Sequence, residues 1–310
     1  MSFKINENIL ICGIVKNCGN KIRLNLNLAI KTGQLFNDYK IIIYENNSTD
    51  NTKEELQKFT GIENENIIII SEDIDIPNKE HSQIWSYTEI TGSDHPCRIE
   101  LISNARNKVV AKINSEKYDK FNYVIWIDMD SNGWDINGIL DSFNKKDVWD
   151  VIYANNPKNY YDMYAYRSQN FLFGPEIIGE HFWNNMPNFS INKNNNLIPV
   201  YSAFGGLGIY KKILFKNYKF DFIVNDTIKE VYNKIIYYNR NKINSQLLTI
   251  IQNPDKKFVD GFKDEKSNIF WKSNSGYNKP VVCEHLAFNF SLINDGFKVF
   301  INPKMIFFNT

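Results

Sequence analysis

Surplus charge is the first thing this chain lacks: 36 Lys and Arg stand against 35 Asp and Glu, a net charge of +1 over 310 residues. A protein that grips nucleic acid by its phosphates carries a basic stripe, so no nucleic-acid partner is expected. Long apolar runs are missing too. None approaches the ~18–20 residues that span a bilayer, so no transmembrane segment is expected. The opening Met1-Ser-Phe-Lys-Ile-Asn-Glu-Asn8 has no apolar stretch behind a basic start, and no secretory leader is expected either. Cysteine is scarce: Cys12, Cys18, Cys97 and Cys283 fit neither a disulfide framework nor a zinc site. Reduced thiols in a cytoplasmic setting are the simplest expectation. Aromatics are plentiful, with 22 Phe, 17 Tyr and 6 Trp in a chain that is 43% hydrophobic, enough for a substantial core.

Strands and helices alternate from the start. Asn8 to Val15 reads as a buried strand, followed by polar Lys16-Asn17-Cys18-Gly19-Asn20 and a helical pattern to about Lys31. Tyr39 to Tyr44 is a second strand, ending in Glu45-Asn-Asn-Ser-Thr-Asp-Asn-Thr52, where a helix begins; Asn66 to Ile70 is a third. Further strands are expected at 149–154 and 299–303, with 168–196 irregular. Such alternation predicts an α/β fold with a mostly parallel central sheet flanked by helices. Ligands bind beyond the carboxyl ends of the strands in such sheets. The polar clusters at 16–20, 45–52 and 128–133 all sit at such ends and are expected to converge on one crevice.

The stretch Tyr123-Val-Ile-Trp-Ile-Asp-Met-Asp130 carries the most chemistry. An apolar run ends in Asp128 and Asp130, two carboxylates one residue apart. Carboxylates at the end of a buried strand are costly unless paired, and hard oxygen ligands suit Mg²⁺ or Mn²⁺, which in turn hold a diphosphate. Asp128-x-Asp130-x-Asn132-Gly133 also matches the first half of an EF-hand loop. That loop needs a bidentate Glu at position twelve, where Ile139 stands, and a helix rather than a strand in front. A phosphatase of the haloacid-dehalogenase type also places Asp-x-Asp after a strand, normally with Thr or Val where Asn132 stands. A plain polar turn is the third alternative.

Three further features bear on a site. Along a helix expected from Arg98 to about Ile113, Ile99, Ile102, Val109 and Ile113 form an apolar stripe, and Arg106 fills its missing step. A guanidinium facing inward needs an anionic partner: either an internal acid such as Glu100, or phosphates and the carboxylates that hold a metal. Gly205-Gly206 allows either a close backbone approach to a ligand or a tight bend between strands. Glu284 and His285 are expected at a strand-to-helix turn facing the crevice, with Leu286 opening the helix.

These residues resemble a glycosyltransferase of the GT-A fold. Glu45 to Thr52 resembles the stretch after the second strand of such enzymes, Asp128-Met129-Asp130 their metal-binding Asp-x-Asp, and Gly205-Gly206 their acceptor-side loop. The chain is most similar to the fungal capsule-associated α-1,3-mannosyltransferase family, through Arg98-Ile-Glu-Leu-Ile-Ser-Asn-Ala-Arg106-Asn107, Ile127-Asp-Met-Asp130 and Tyr161-Asp162 to Arg167, over roughly residues 8 to 303. It departs at Ser202-Ala-Phe-Gly-Gly206, where a Cys-Trp-Asn-Gly-like sequence is expected in that family, and no N-terminal anchor of the kind common there is expected.

The resemblance implies one GT-A domain over 1–310, with a nucleotide-sugar half to about 135 and an acceptor half beyond it. The expected activity moves a sugar from a UDP- or GDP-sugar to a hydroxyl acceptor such as a glycan, and the family points to a hexose of the mannose kind. Asp128 and Asp130 would hold Mn²⁺ or Mg²⁺, with His285 completing the shell. Gly13, Val15, Lys16, Glu45 and Asn46 would cradle base and ribose, with Arg106, Asp128 and Met129 near the diphosphate. Glu284 is the first candidate for acid/base work on the acceptor, then His285 and Asp162. The rival expectations are a binding protein on the same fold without activity, and a metal-dependent phosphohydrolase.

Overall fold

The computed structural model describes residues 4–60, 65–76, 96–186, 188–243, 261–263, 269–272 and 281–309. The N-terminal part runs β1 (Ile5–Val15), α1 (Gly19–Gly33), β2 (Phe36–Asn46), α2 (Thr52–Gln57), β3 (Ile67–Glu72), α3 (Arg98–Ile113) and β4 (Tyr123–Ile127). After it come α4 (Ile136–Phe143), β5 (Val151–Asn155), two short helices α5 (Pro175–Ile178) and α6 (Glu180–Asn184), β6 (Ile198–Pro199) and β7 (Leu207–Lys211). The chain closes with α7 (Asp226–Asn239), the ribbon strands β8 (Gly261–Lys263) and β9 (Phe270–Lys272), α8 (Glu284–Asn294) and β10 (Val299–Ile306).

The main sheet has the order β3-β2-β1-β4-β7-β5-β10-β6. Strands β1, β2, β3 and β4 pair in parallel, as do β5 and β10, while β7 runs antiparallel between β4 and β5. The α/β architecture expected from the alternation is therefore present, with one reversed strand inserted at the centre. Strand β4 is buried at every residue because helices cover both faces. Its side chains alternate between two cores. Val124 and Trp126 join Val109 and Ile113 of α3, Ile228 of α7 and Phe288 of α8. Ile125 and Ile127 join Ile22 and Leu26 of α1 and Ile139 of α4.

The helix starts are set locally. Asp135 caps α4 by accepting the Asn137 N–H, and Asn225 caps α7 by accepting the Ile228 N–H at 3.0 Å. The loop after β2 caps α1: Asp50 accepts the Gly19 N–H at 3.1 Å and Thr52 Oγ1 accepts the Cys18 N–H at 2.8 Å. Asn17 Oδ1 in turn accepts the Thr49 N–H at 2.7 Å, so the polar clusters at 16–20 and 45–52 are laced to each other.

One local expectation is corrected, and one alternative is decided. Glu284 and His285 are the first two residues of α8 and do not precede it. Nothing at Cys283 signals the start, because its side chain makes no cap. The Gly205-Gly206 pair is a tight bend into β7. Both glycines have positive φ, 66° and 87°. A Cβ on Gly205 would stand 2.7 Å from the Ala154 carbonyl oxygen, and one on Gly206 2.1 Å from the Phe307 ring. Packing explains this pair, and neither glycine lines the cleft described next.

Candidate active site

A cleft of about 850 Å³ opens beyond the carboxyl ends of β1, β2 and β4. Val15, Lys16, Asn46, Arg106, Asp128, Asp130, Asp162, Glu284 and His285 line it, so the structure brings together most of the residues singled out from the sequence. Gly13, Glu45 and Met129 stand behind its wall. A Cβ on Gly13 would lie 2.9 Å from the Ile127 carbonyl oxygen, so this glycine allows β1 to approach β4. The Glu45 carboxylate is fully buried and accepts from Ser48 N–H at 2.8 Å and from the Ser71 hydroxyl, which ties β2 to β3. Met129 is buried in the core on the α1 side.

The two aspartates are held by backbone. The Asp128 N–H donates to the Gly206 carbonyl at 2.9 Å. Buried Asn25, from the middle of α1, donates to the carbonyls of Met129 at 2.7 Å and Ser131 at 3.0 Å, which fixes the chain on either side of Asp130. Asn25 is not legible in the sequence as a site residue. An Asn in a helix interior competes poorly for helix, and that mismatch is the only signal it leaves.

Arg106 enters from α3 and is 4% exposed. Its Nε donates to Glu284 Oε1 at 2.9 Å and its Nη2 lies 3.5 Å from Asp128 Oδ1. Glu284 and Asp128, both on the cleft, are its acid partners, and not Glu100 of its own helix. The rings of Phe204, Trp126 and Phe220 surround the guanidinium at 5.0, 5.4 and 5.5 Å. Nη1 is buried and has no hydrogen-bond partner among the described residues. The charge cannot be shed by deprotonation, so this donor is a standing demand for an acceptor.

The acids on the cleft are close enough to disturb one another. Burial, reinforced by the carboxylates of Asp130, Asp162 and Glu284 and only partly offset by Arg106, pushes Asp128 up to about 8. Its side chain is still 27% open to the cleft. Burial and the Glu284 carboxylate push Asp162 up to about 6, against the Ala165 N–H and the two arginines Arg106 and Arg167. His285 stacks on Phe204 with ring centroids 3.8 Å apart. Burial and the Arg106 charge hold it well below the usual imidazole range, so the ring is neutral. Both of its nitrogens lack hydrogen-bond partners among the described residues.

A hard divalent cation fits the donor set at the end of β4. Asp128 and Asp130 offer carboxylate oxygens one residue apart, and both line the cleft. The described residues contain no cluster of three His, Cys, Asp or Glu placed to hold a metal. Two carboxylates plus substrate phosphates is the usual way Mg²⁺ is bound. No helix among the described residues is long and apolar enough to cross a membrane.

Sequence reasoning misses two aromatic residues. Phe204 and Trp183 line the cleft, the first beside the Gly205-Gly206 bend and the second in the stretch read as irregular. A lone Trp in a segment without periodicity leaves no pattern to read.

A family model described as Cryptococcal mannosyltransferase 1 matches residues 35–237. No curated protein matches the chain. Among solved structures, residues 1–349 of TarS from S. aureus are similar at 13% identity and a TM-score of 0.39, over 69% of this chain and 50% of that one. The mannosyltransferase PcManGT from Pyrobaculum calidifontis, in complex with GDP-Man and Mn²⁺, is similar at 10% identity and a TM-score of 0.41, over 70% of this chain and 48% of that one. The chain thus spans about half the length of the solved structures it matches.

Proposed function

From a chain that belongs to the Cryptococcal mannosyltransferase 1 family, and is therefore a glycosyltransferase, we propose a divalent-cation-dependent transfer of a sugar from a UDP- or GDP-sugar to a hydroxyl of a glycan. One observation carries the reading: a buried guanidinium with an unused donor stands in the same cleft as an Asp-x-Asp pair at a strand end. Diphosphate oxygens are the acceptors that Nη1 lacks. Charge-assisted hydrogen bonds to phosphate are what Arg is built to make.

The donor lies along the β1 side. Val15, Lys16 and Asn46 line the cleft there, and Lys16 adds a second cation for the phosphates. Asp128 and Asp130 would hold Mn²⁺ or Mg²⁺, which would supply positive charge against the leaving diphosphate. Arg106 is kept pointing at that diphosphate by Glu284, which it grips at 2.9 Å.

That grip moves the acceptor role away from Glu284. A carboxylate engaged by a buried guanidinium is poorly placed to receive a proton. Asp162 lines the cleft, makes no ion pair with either arginine, and sits near the working range of a general base. Asp162 therefore receives the hydrogen bond of the acceptor hydroxyl. The acceptor oxygen bonds to the anomeric carbon as the bond from that carbon to the diphosphate breaks. The hydroxyl proton passes to Asp162 if configuration inverts, or to the departing diphosphate if it is retained. Neutral His285, packed on Phe204 with Nε2 3.4 Å from Glu284 Oε1, takes no place around the cation.

Calorimetry with UDP and GDP, each with and without Mn²⁺, tests the reading. Cation-dependent binding of one of them, abolished in Asp130→Ala while the fold persists, is the expected result. Absence of binding by both nucleotides in the presence of Mn²⁺ overturns it.

A further inference from the structure

The loop from β4 to α4 carries, in Asp128-x-Asp130-x-Asn132-Gly133, half of a calcium-loop signature that the proposed reaction leaves unused. Helix α1 lies against that loop. Lys21, Asn25, Leu28 and Thr32 share one face of the helix, and all four meet residues 129–134. The Lys21 ammonium donates to Asn132 Oδ1. Asn25 uses both amide hydrogens on the carbonyls of Met129 and Ser131, and its Oδ1 accepts from the Ser131 hydroxyl at 3.4 Å. A Cβ on Gly133 would stand 3.1 Å from Leu28, and Thr32 Oγ1 accepts the Trp134 indole N–H at 3.1 Å.

These bonds decide which oxygens a cation can reach. Ca²⁺ gathers roughly six to eight oxygens and recruits backbone carbonyls and Asn side chains to reach that number. Mg²⁺ demands a tighter octahedron, keeps several waters and needs only one or two carboxylates plus phosphates. Here the carbonyls on either side of Asp130 are turned onto Asn25, and the Asn132 oxygen is turned onto Lys21. The Asn132 amide is held at its other end too, since Nδ2 donates to the Asn309 carbonyl at 2.9 Å. Of residues 128–133, Asp128 and Asp130 alone line the cleft. Asn25 is fully buried in mid-helix, where Asn is a poor helix former, so its place there is explained by the loop and not by α1.

We infer that Lys21 and Asn25 set the cation selectivity of the site. By holding back the neutral oxygens of the loop they leave two carboxylates, phosphate and water, a shell that suits Mg²⁺ or Mn²⁺ and under-fills Ca²⁺. This rests on the cation-dependent donor site proposed above and adds the residues that choose its ion. Neither touches the cation, so both are positioning residues.

Calorimetry tests this by comparing the Kd of UDP or GDP in saturating Mn²⁺ with its Kd in saturating Ca²⁺. The natural protein should bind the nucleotide about tenfold or more tightly with Mn²⁺. Asn25→Leu frees the two carbonyls and should narrow that ratio severalfold. Lys21 belongs to neither core, so Lys21→Met should fold even if Asn25→Leu does not. It should narrow the ratio by about threefold, and Lys21→Arg should keep it. Loss of the Lys21 charge acts on both divalent ions alike and cancels in the ratio. Thr32→Val removes a bond from the same helix face to the same loop, beyond Asp130, and should lower the melting temperature with the ratio unchanged. Equal affinity with the two ions in the natural protein, an unchanged ratio in Lys21→Met, or an equal change in Thr32→Val overturns the inference and leaves the donor site standing. Absence of nucleotide binding with Mn²⁺ in the natural protein overturns the donor site and the inference with it.

Discussion

Two buried arginines in this molecule have opposite fates. Arg167 is fully enclosed, and so is its partner Glu176. Its Nη2 meets both oxygens of Glu176 at 2.8 and 3.0 Å, its Nε donates to the Tyr232 hydroxyl at 3.0 Å, and its Nη1 donates to the Tyr166 carbonyl at 2.7 Å. The backbone has made room for it, since a Cβ on Gly174 would stand 1.4 Å from Nη2. Arg106 is almost as deeply buried, but its pair with Asp128 is stretched to 3.5 Å and its Nη1 has no partner among the described residues. A satisfied guanidinium holds the fold together, tying the Tyr161–Arg167 stretch to α5 and α7. In the function proposed above, an unsatisfied one in a cleft is kept for a ligand. Burial alone does not tell them apart; the inventory of donors does.

Breaking the closed cluster should have the largest effect. Arg167→Met leaves Glu176 buried without its counter-charge, and removing one partner of a buried pair costs about 3–5 kcal/mol. Urea denaturation should show a loss of that size or a protein that no longer folds. A loss below about 1 kcal/mol would mean that Glu176 finds water or a proton at little cost.

In the open cluster the largest effect should be on rate and not on stability. Asp162→Asn keeps the shape but removes the proton acceptor, and turnover should fall about 100-fold or more while nucleotide affinity and the unfolding midpoint hold. Glu284→Gln is the informative control. It loosens Arg106 and should raise the Kd for the nucleotide together with any loss in rate. If Glu284→Gln loses turnover at unchanged Kd and Asp162→Asn does not, the acceptor role returns to Glu284.

Substituting the same residue in the other cluster gives the direct contrast. Arg106→Lys keeps the positive charge near Asp128 but cannot supply the fork that reaches Glu284 and a phosphate together. Hydrogen bonds to charged groups contribute about 1.5–3 kcal/mol, so nucleotide affinity should fall roughly tenfold to a hundredfold. Thermal unfolding of the ligand-free protein should change little. A large drop in melting temperature with intact nucleotide binding would make Arg106 a second Arg167.

Much of this contrast is visible in the chain, and the reasons are physical. Helix α3 is legible at 98–113 because its apolar stripe has helical spacing, and Arg106 stands out because it interrupts that stripe without breaking the period. Strand β4 is legible at 123–127 because a strand covered on both faces is an unbroken apolar run. Which acid Arg106 chooses is not legible. Glu284 lies 178 residues away along the chain, and nothing local to either residue records the pairing. The reversal of β7 is hidden for the same reason, since strand direction depends on how the connections cross the sheet. Helix α7 escapes sequence reading although Ile228, Val231, Tyr232 and Ile235 form a stripe behind an Asn cap. Asn, Lys and Tyr side chains crowd the rest of that segment and mask the period, and burial of the stripe outweighs composition.

The smallest effect concerns pH, and it probes the open cluster without any mutation. Asp128 is raised to about 8, so the folded, metal-free protein keeps that proton over a range where the unfolded chain, titrating near its ordinary value of about 4, has lost it. The folded state then binds more protons than the unfolded state. By linkage, this group favours folding at acid pH, and its contribution declines as pH rises from about 4 toward about 8. A cation needs the deprotonated carboxylate, so its binding competes with that proton and strengthens as the proton leaves. Between pH 7 and pH 8 the apparent affinity for Mn²⁺ should rise about fivefold, and the thermal stabilisation by Mn²⁺ should rise with it. Mn²⁺ titrations followed by thermal unfolding across pH 6 to 8 measure the effect directly, with Asp128→Asn as the variant that should flatten it. A pH-independent Mn²⁺ shift in the natural protein would place the cation away from Asp128 and leave Arg106 facing that carboxylate alone.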